Sequence, residues 1–128
     1  FFEQVLGADP VPSSISDARE NARLNSVSNC GFFMKDARDF LKDLPSDAVG
    51  SAEITAILDP PRAGCSPEVL KLLAQAAPGK VIYVSCDPGT LARDIKILCT
   101  LGYRVEKVRP VDLFPHTRHV ETVLVLRR

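Results

Sequence analysis

VIYVSCDPGTLARDIKILCTLG, residues 81–102, reads as a strand that runs straight into a helix. Val81 to Ser85 is apolar and expected to be a strand buried on both faces. Leu91, Ile95 and Leu98 mark one face of a helix from Pro88 to Leu101. Asp87 fits the N-cap and Pro88 the first helical position, where the missing N–H costs nothing. Gly102 fits the residue just past the helix end.

The same alternation extends outward. Val5 to Ala8 and Cys30 to Met34 are strand candidates, joined by a helix whose face carries Ile15, Ala18 and Ala22 and whose first turn Ser13 or Ser14 could cap. Ala37 to Leu44 is a short helix stopped by Pro45, and residues 46 to 53 read as a polar loop. Ile54 to Leu58 is a third strand, broken by Asp59-Pro60-Pro61-Arg62. Val69, Leu72, Leu73 and Ala76 mark a helix ended by Pro78-Gly79. Tyr103 to Val111 and Val120 to Leu126 follow with no helix between them, so they are expected to pair antiparallel. This is an α/β pattern, a mostly parallel sheet covered by helices. No internal repeat or domain boundary interrupts it.

The 128 residues amount to one domain. No window approaches the ~18 apolar residues of a bilayer span. Lys plus Arg equal Asp plus Glu at 16 each, which argues against a non-specific phosphate-binding module but leaves room for a local RNA groove. Cys30, Cys65, Cys86 and Cys99 include no CxxC pair, so no metal site is expected, and four thiols in a reducing compartment are the simplest reading. Met34 is the single methionine, so Phe1 reads as a cut inside a longer protein.

Ligands of open α/β sheets bind beyond the carboxyl ends of the strands. That rule selects Asp9, Asp36, Asp59 and Cys86, each just past a strand candidate. Cys86 stands out because it immediately precedes a helix N-terminus, whose positive dipole end favours a thiolate. A buried, inert thiol is the usual fate of a free cysteine and suits Cys30 and Cys99 better. Two prolines stiffen the loop between Asp59 and Arg62. Glu121 opens a strand otherwise rich in Val and Leu, where a carboxylate is either solvated or held for proton transfer.

DPPRAGC (59–65), VSCDPGTLARD (84–94) and DLFPHTRHVE (112–121), in that order, resemble the RNA uracil-5-methyltransferases, which methylate C5 of uridine in transfer or ribosomal RNA. The resemblance runs from LGADP (6–10) to the last strand. It implies a Rossmann-like class I methyltransferase sheet, mostly parallel with an antiparallel C-terminal strand, truncated at its N-terminal side. It makes Cys86 the nucleophile that adds to C6 of uracil and Glu121 the base that removes the C5 proton. It assigns Asp9, Asp36 and Asp59 to S-adenosylmethionine, and Arg62 and His116 to the target pocket. RNA is the implied partner and the cytoplasm the implied compartment.

The sequence departs from the family in two places. The family motif reads Ser-Cys-Asn-Pro where this chain has Asp87, whose carboxylate is expected to oppose the thiolate. The glycine-rich strand–loop that cradles the methionine part of the cofactor would precede Val5, and upstream of it an OB-like RNA-binding domain. Without them the residues form part of a methyltransferase domain whose exposed strand edges leave room for dimerisation. The rival readings are an RNA cytosine-5-methyltransferase, with Cys65 as a second functional cysteine, and a non-catalytic domain that retains the fold. The 128-residue chain by itself is expected to be inactive and to bind S-adenosylmethionine weakly or not at all; a calorimetric titration giving a micromolar dissociation constant would contradict this.

Overall fold

The computed structural model describes residues 2–45, 50, 53–113, 115–117 and 120–128. Most of the loop expected over 46 to 53 lies outside them, as do Phe114, Arg118 and His119 of the DLFPHTRHVE motif. Contacts divide the chain into two compact units, Phe1–Asp43 and Leu44–Arg128.

In the first unit, β1 (Val5–Ala8) and β2 (Cys30–Phe33) pair in parallel, Val5 opposite Cys30 and Ala8 opposite Phe33. The helix between them, α1 (Pro12–Leu24), buries Ile15, with Ala18 and Ala22 half-buried on the same face. It is not capped by Ser13 or Ser14. Pro12 takes the first helical position, so both serines fall inside the first turn, and Val11 is an N-cap without a side-chain bond. Proline's fixed φ and absent N–H make that earlier start favourable. The helix ends on Ser26 at φ +55°, with the Val27 amide donating to the Ala22 carbonyl at 2.8 Å and the Ser26 amide to that of Arg23 at 3.2 Å. This is a Schellman closure carried by serine instead of glycine. A short α2 (Ala37–Lys42) follows, capped by Asp36 and ending before Leu44. Phe40 packs against Phe33, ring centroids 5.7 Å apart.

The second unit is a four-stranded sheet with the order β3-β4-β6-β5, formed by β3 (Thr55–Leu58), β4 (Lys80–Ser85), β5 (Arg104–Val111) and β6 (Glu121–Arg127). β3 and β4 are parallel; β6 is antiparallel to both β4 and β5. Only β6 runs against the other strands, as the sequence pattern requires. It does so from inside the sheet, wedged between β4 and β5. Edge strand β5 is exposed over most of its length. A register shift between Val105 and Lys107, together with Lys107, Arg109 and Pro110, blunts that edge against further pairing.

Two helices, α3 (Pro67–Ala76) and α4 (Pro88–Thr100), pack beside each other. The core joins Leu70 and Leu73 of α3, Leu91 and Leu98 of α4, Val81 and Tyr83 of β4, and Leu124 and Leu126 of β6. β4 is therefore not buried on both faces. Val81, Tyr83 and Ser85 are buried, and Ile82 and Val84 only half so, because α4 lies on the Tyr83 side. On α4 itself the middle of the buried stripe is Asp94, not Ile95.

Helix α4 ends in a second Schellman closure. The Gly102 amide donates to the Cys99 carbonyl at 3.2 Å and the Tyr103 amide to that of Leu98 at 3.1 Å, with Gly102 at φ +95°. A Cβ at Gly102 would meet nothing within 4 Å, so substitution there tests backbone conformation alone. Gly102→Ala is expected to cost about 1–2 kcal/mol, read as a lower urea midpoint at unchanged m-value.

Candidate active site

The carboxyl ends of β3 and β4 and the start of β6 lie along one rim of the four-stranded sheet. Ser85 pairs with Thr122 in the antiparallel register of β4 and β6. One step further outward are Cys86, just past the end of β4, and Glu121, the first residue of β6. They share that rim although they lie 35 positions apart in sequence. Asp59 follows Leu58 on the neighbouring strand β3, and Leu58 pairs with Tyr83.

The turn at Cys86 is tied on both sides. Ser85 Oγ donates to the Asp87 carbonyl at 3.0 Å and accepts from the Asp87 amide at 3.1 Å. Asp87 then caps α4: its Oδ1 accepts from the amides of Gly89 and Thr90, each at 2.9 Å. The bond from the Thr90 amide does most to hold the Asp87 carboxyl below the ordinary carboxylate range; desolvation opposes it, while the Gly89 amide, the Thr90 hydroxyl and the Arg62 charge add to it. An asparagine at this position would offer the same acceptor, so the departure at position 87 keeps the cap. Cys86, half-buried and free, sits immediately before that helix N-terminus.

The 59–65 loop lies against α4. Thr90 Oγ1 donates to the Arg62 carbonyl at 2.9 Å, and the Gly64 amide closes a turn onto the Pro61 carbonyl at 2.8 Å. Arg93 Nη2 donates to the carbonyls of Ala63 at 2.7 Å and Cys65 at 3.3 Å. Asp94, at 0% exposure, accepts from Tyr83 Oη at 2.6 Å, from the Cys65 amide at 2.7 Å and from Arg93 Nε at 2.9 Å. None of Tyr83, Thr90, Arg93 and Asp94 stood out as a site residue in the sequence. The available signal was an aspartate three residues after Leu91 and four before Leu98, on the stripe that should be apolar.

Cys65 differs in kind from Cys86. It is buried, its Sγ lies 3.7 Å from Tyr83 Oη, and burial raises its thiol pKa. A thiol so placed stays protonated at neutral pH. Arg62 and Asp59 are exposed at the rim. His116 is exposed at φ +66° in the segment between β5 and β6.

In the other unit, Asp9 and Asp36 follow β1 and β2. Asp9 spends Oδ1 on the Val11 amide at 2.7 Å, which leaves Oδ2 without a described donor. Asp36 gives Oδ1 to the Asp39 amide at 2.8 Å. Both are acceptors for a ligand rich in hydroxyl or amino donors. Among the described residues there is no cluster of metal-ligating side chains and no helix long and apolar enough to cross a membrane.

A family model described as tRNA (uracil-5-)-methyltransferase matches residues 1–128. The chain is 44% identical over 123 residues to an uncharacterised RNA methyltransferase of Geobacter sulfurreducens, covering 96% of this chain and 24% of the relative. Among solved structures it is similar to the Pyrococcus abyssi tRNA (uracil-54, C5)-methyltransferase in complex with S-adenosyl-L-homocysteine, at 39% identity and a TM-score of 0.79, over 96% of this chain and 28% of that one. The precorrin-6y C5,15-methyltransferase of Geobacter metallireducens shares the fold at 15% identity, with a TM-score of 0.72 over 98% of this chain and 67% of that one. The chain thus spans about a quarter of the length of the curated relatives it matches.

Peptide mapping after brief iodoacetamide treatment at neutral pH is expected to find Cys86 and the exposed Cys99 alkylated and Cys65 unmodified. Labelling of Cys65 as fast as Cys86 would contradict the burial argument.

Proposed function

The chain belongs to the tRNA (uracil-5-)-methyltransferase family, and from that premise we propose that residues 1–128 are part of an S-adenosylmethionine-dependent domain that methylates C5 of a uridine in RNA. The observation that supports the reading is the register Ser85↔Thr122, beyond which Cys86 follows the end of β4 and Glu121 opens β6 at the same rim. A nucleophile and a base must act on adjacent carbons of one ring, and a shared rim is consistent with that need.

The target uridine leaves its stack to reach the rim. The Cys86 thiolate adds to C6, forming an S–C6 bond, and the C5=C6 electron pair shifts toward O4, so that C5 becomes enolate-like. S-adenosylmethionine supplies, when bound, an electrophilic methyl group on a sulfonium. Glu121 accepts the C5 proton; the C5–H pair re-forms C5=C6 as the S–C6 bond breaks and Cys86 leaves as thiolate. The helix N-terminus of α4 favours that thiolate at both ends of the cycle. Asp9 fits the cofactor ribose, whose hydroxyls need an acceptor such as Oδ2, and Asp36 and Asp59 offer carboxylates to its remaining donors. Arg62 and His116 serve the target pocket. Transfer RNA is the substrate class the family description favours, in the cytoplasm.

A cytosine-5-methyltransferase mechanism would ask Cys65 to act as a second reactive thiol, and its burial argues against that. In the full-length protein, Cys86→Ser is expected to abolish both methylation and covalent trapping on RNA carrying 5-fluorouridine. Glu121→Gln is expected to slow turnover by about 10²-fold or more and to accumulate adduct on unmodified RNA, seen as a band that survives denaturing gel electrophoresis. Trapping only on 5-fluorocytidine RNA, or wild-type turnover by Glu121→Gln, would refute the assignment.

A further inference from the structure

Asp94 has no role in the chemistry above, yet it is the one fully buried charge described in the chain. A lone buried carboxylate costs several kcal/mol unless donors surround it. Here they come from three elements: Tyr83 on β4, the Cys65 amide in the 59–65 loop, and Arg93 on α4. Arg93 passes the contact on to the Ala63 and Cys65 carbonyls, and Thr90 reaches the Arg62 carbonyl. Thr90, Arg93 and Asp94 are spaced i, i+3 and i+4, so one face of α4 grips the carbonyls of Arg62, Ala63 and Cys65 and the amide of Cys65. The fit is close: a Cβ on Gly64, itself at φ +73°, would lie 2.5 Å from Asp94 Oδ2.

Cys86 immediately precedes Asp87, the N-cap of the same helix. The loop it grips carries Asp59 and Arg62. We propose that Asp94, with Arg93 and Thr90, is a positioning device for the reaction: it locks the 59–65 loop onto α4 and so fixes Asp59 and Arg62 relative to Cys86. This rests on the uridine-methylation reading given above. None of the three residues touches the reacting atoms. They act through the backbone of residues 62–65. A misplacement of about 1 Å at a reacting centre can lower a rate by ~10²-fold, so the clamp acts on kcat while leaving RNA affinity to other surfaces.

The test uses the full-length protein. Thr90→Val removes the hydroxyl with little change of shape, Thr90→Ser retains it, and Asp94→Asn keeps an acceptor while removing the charge that Arg93 pairs with. Thr90→Val and Asp94→Asn are expected to lower kcat by about tenfold or more, with KM for RNA within about twofold of wild type. The rate of adduct formation on 5-fluorouridine RNA should fall in parallel, and amide hydrogen exchange should rise at residues 62–65. Thr90→Ser is expected to restore kcat. If Asp94→Asn does not fold, the Thr90 pair decides by itself. A folded Thr90→Val enzyme with kcat within about twofold of wild type, or a loss confined to KM, overturns the proposal. If the wild-type enzyme fails to methylate uridine, the functional reading falls instead, and the hydrogen-exchange comparison still decides whether the clamp holds the loop.

Discussion

Two oxygens of Asp94 hold together three parts of the second unit that are distant in sequence. Tyr83, the Cys65 amide and Arg93 each donate to this carboxylate, which has no exposure to solvent. A buried ion pair of this sort is poor evidence of extra stability, because a well-packed apolar substitute often serves as well. It is better evidence of geometric demand. An apolar residue could fill the space, but it could not receive the Cys65 amide or orient Arg93 toward the Ala63 carbonyl. The network also acts on Tyr83: burial, with the Asp94 carboxylate adding to it, pushes the Tyr83 hydroxyl far above the ordinary phenol range. Tyr83 therefore remains a hydrogen-bond donor at every pH at which the protein would work.

β4 gives this network its reach. Its buried side carries Val81, Tyr83 and Ser85 in strict alternation. Val81 joins the apolar core, Tyr83 reaches Asp94, and Ser85 ties the turn at Cys86 through Asp87. One strand thus links the core to the Asp94 network and that network to the turn at Cys86. β6 completes the rim from its other side. It contributes Leu124 and Leu126 to the core and Thr122 beside Ser85, and Glu121 is its first residue. An antiparallel strand is what brings a residue from the beginning of a strand to the rim where the parallel strands end. With a parallel last strand, Glu121 would lie at the far end of the sheet.

The two units divide the chemistry the family membership implies. In the first, Asp9 and Asp36 follow parallel strands and retain acceptor capacity. In the second, the rim holds Cys86 and Glu121, the proposed nucleophile and base. The three cysteines other than Cys86 illustrate how little residue type says by itself. Cys65 is locked in the core, Cys99 is exposed near the end of α4, and Cys30 begins a strand.

Local sequence determined the elements and most of their ends. Strand β1 falls where alternation and Asp9-Pro10 place it. The cap of Asp87 and the closure at Gly102 also follow from local chemistry, because caps depend on residues within a turn of each other. The order of the motifs sufficed to point to the family to which the chain belongs. Short-range reading failed where a tertiary partner decided. Ser13 and Ser14 lost the cap to Pro12 and Val11, a competition settled by backbone geometry. Asp94 was overlooked because an aspartate on a helix normally faces water, and only the approach of Tyr83 and the 59–65 loop makes its burial tolerable. The pairing of Ser85 with Thr122 is likewise absent from any local pattern. Strand register is a long-range property, fixed when the alternating apolar sides of β4 and β6 enter one core together, and that register brings Cys86 and Glu121 to one rim of the sheet.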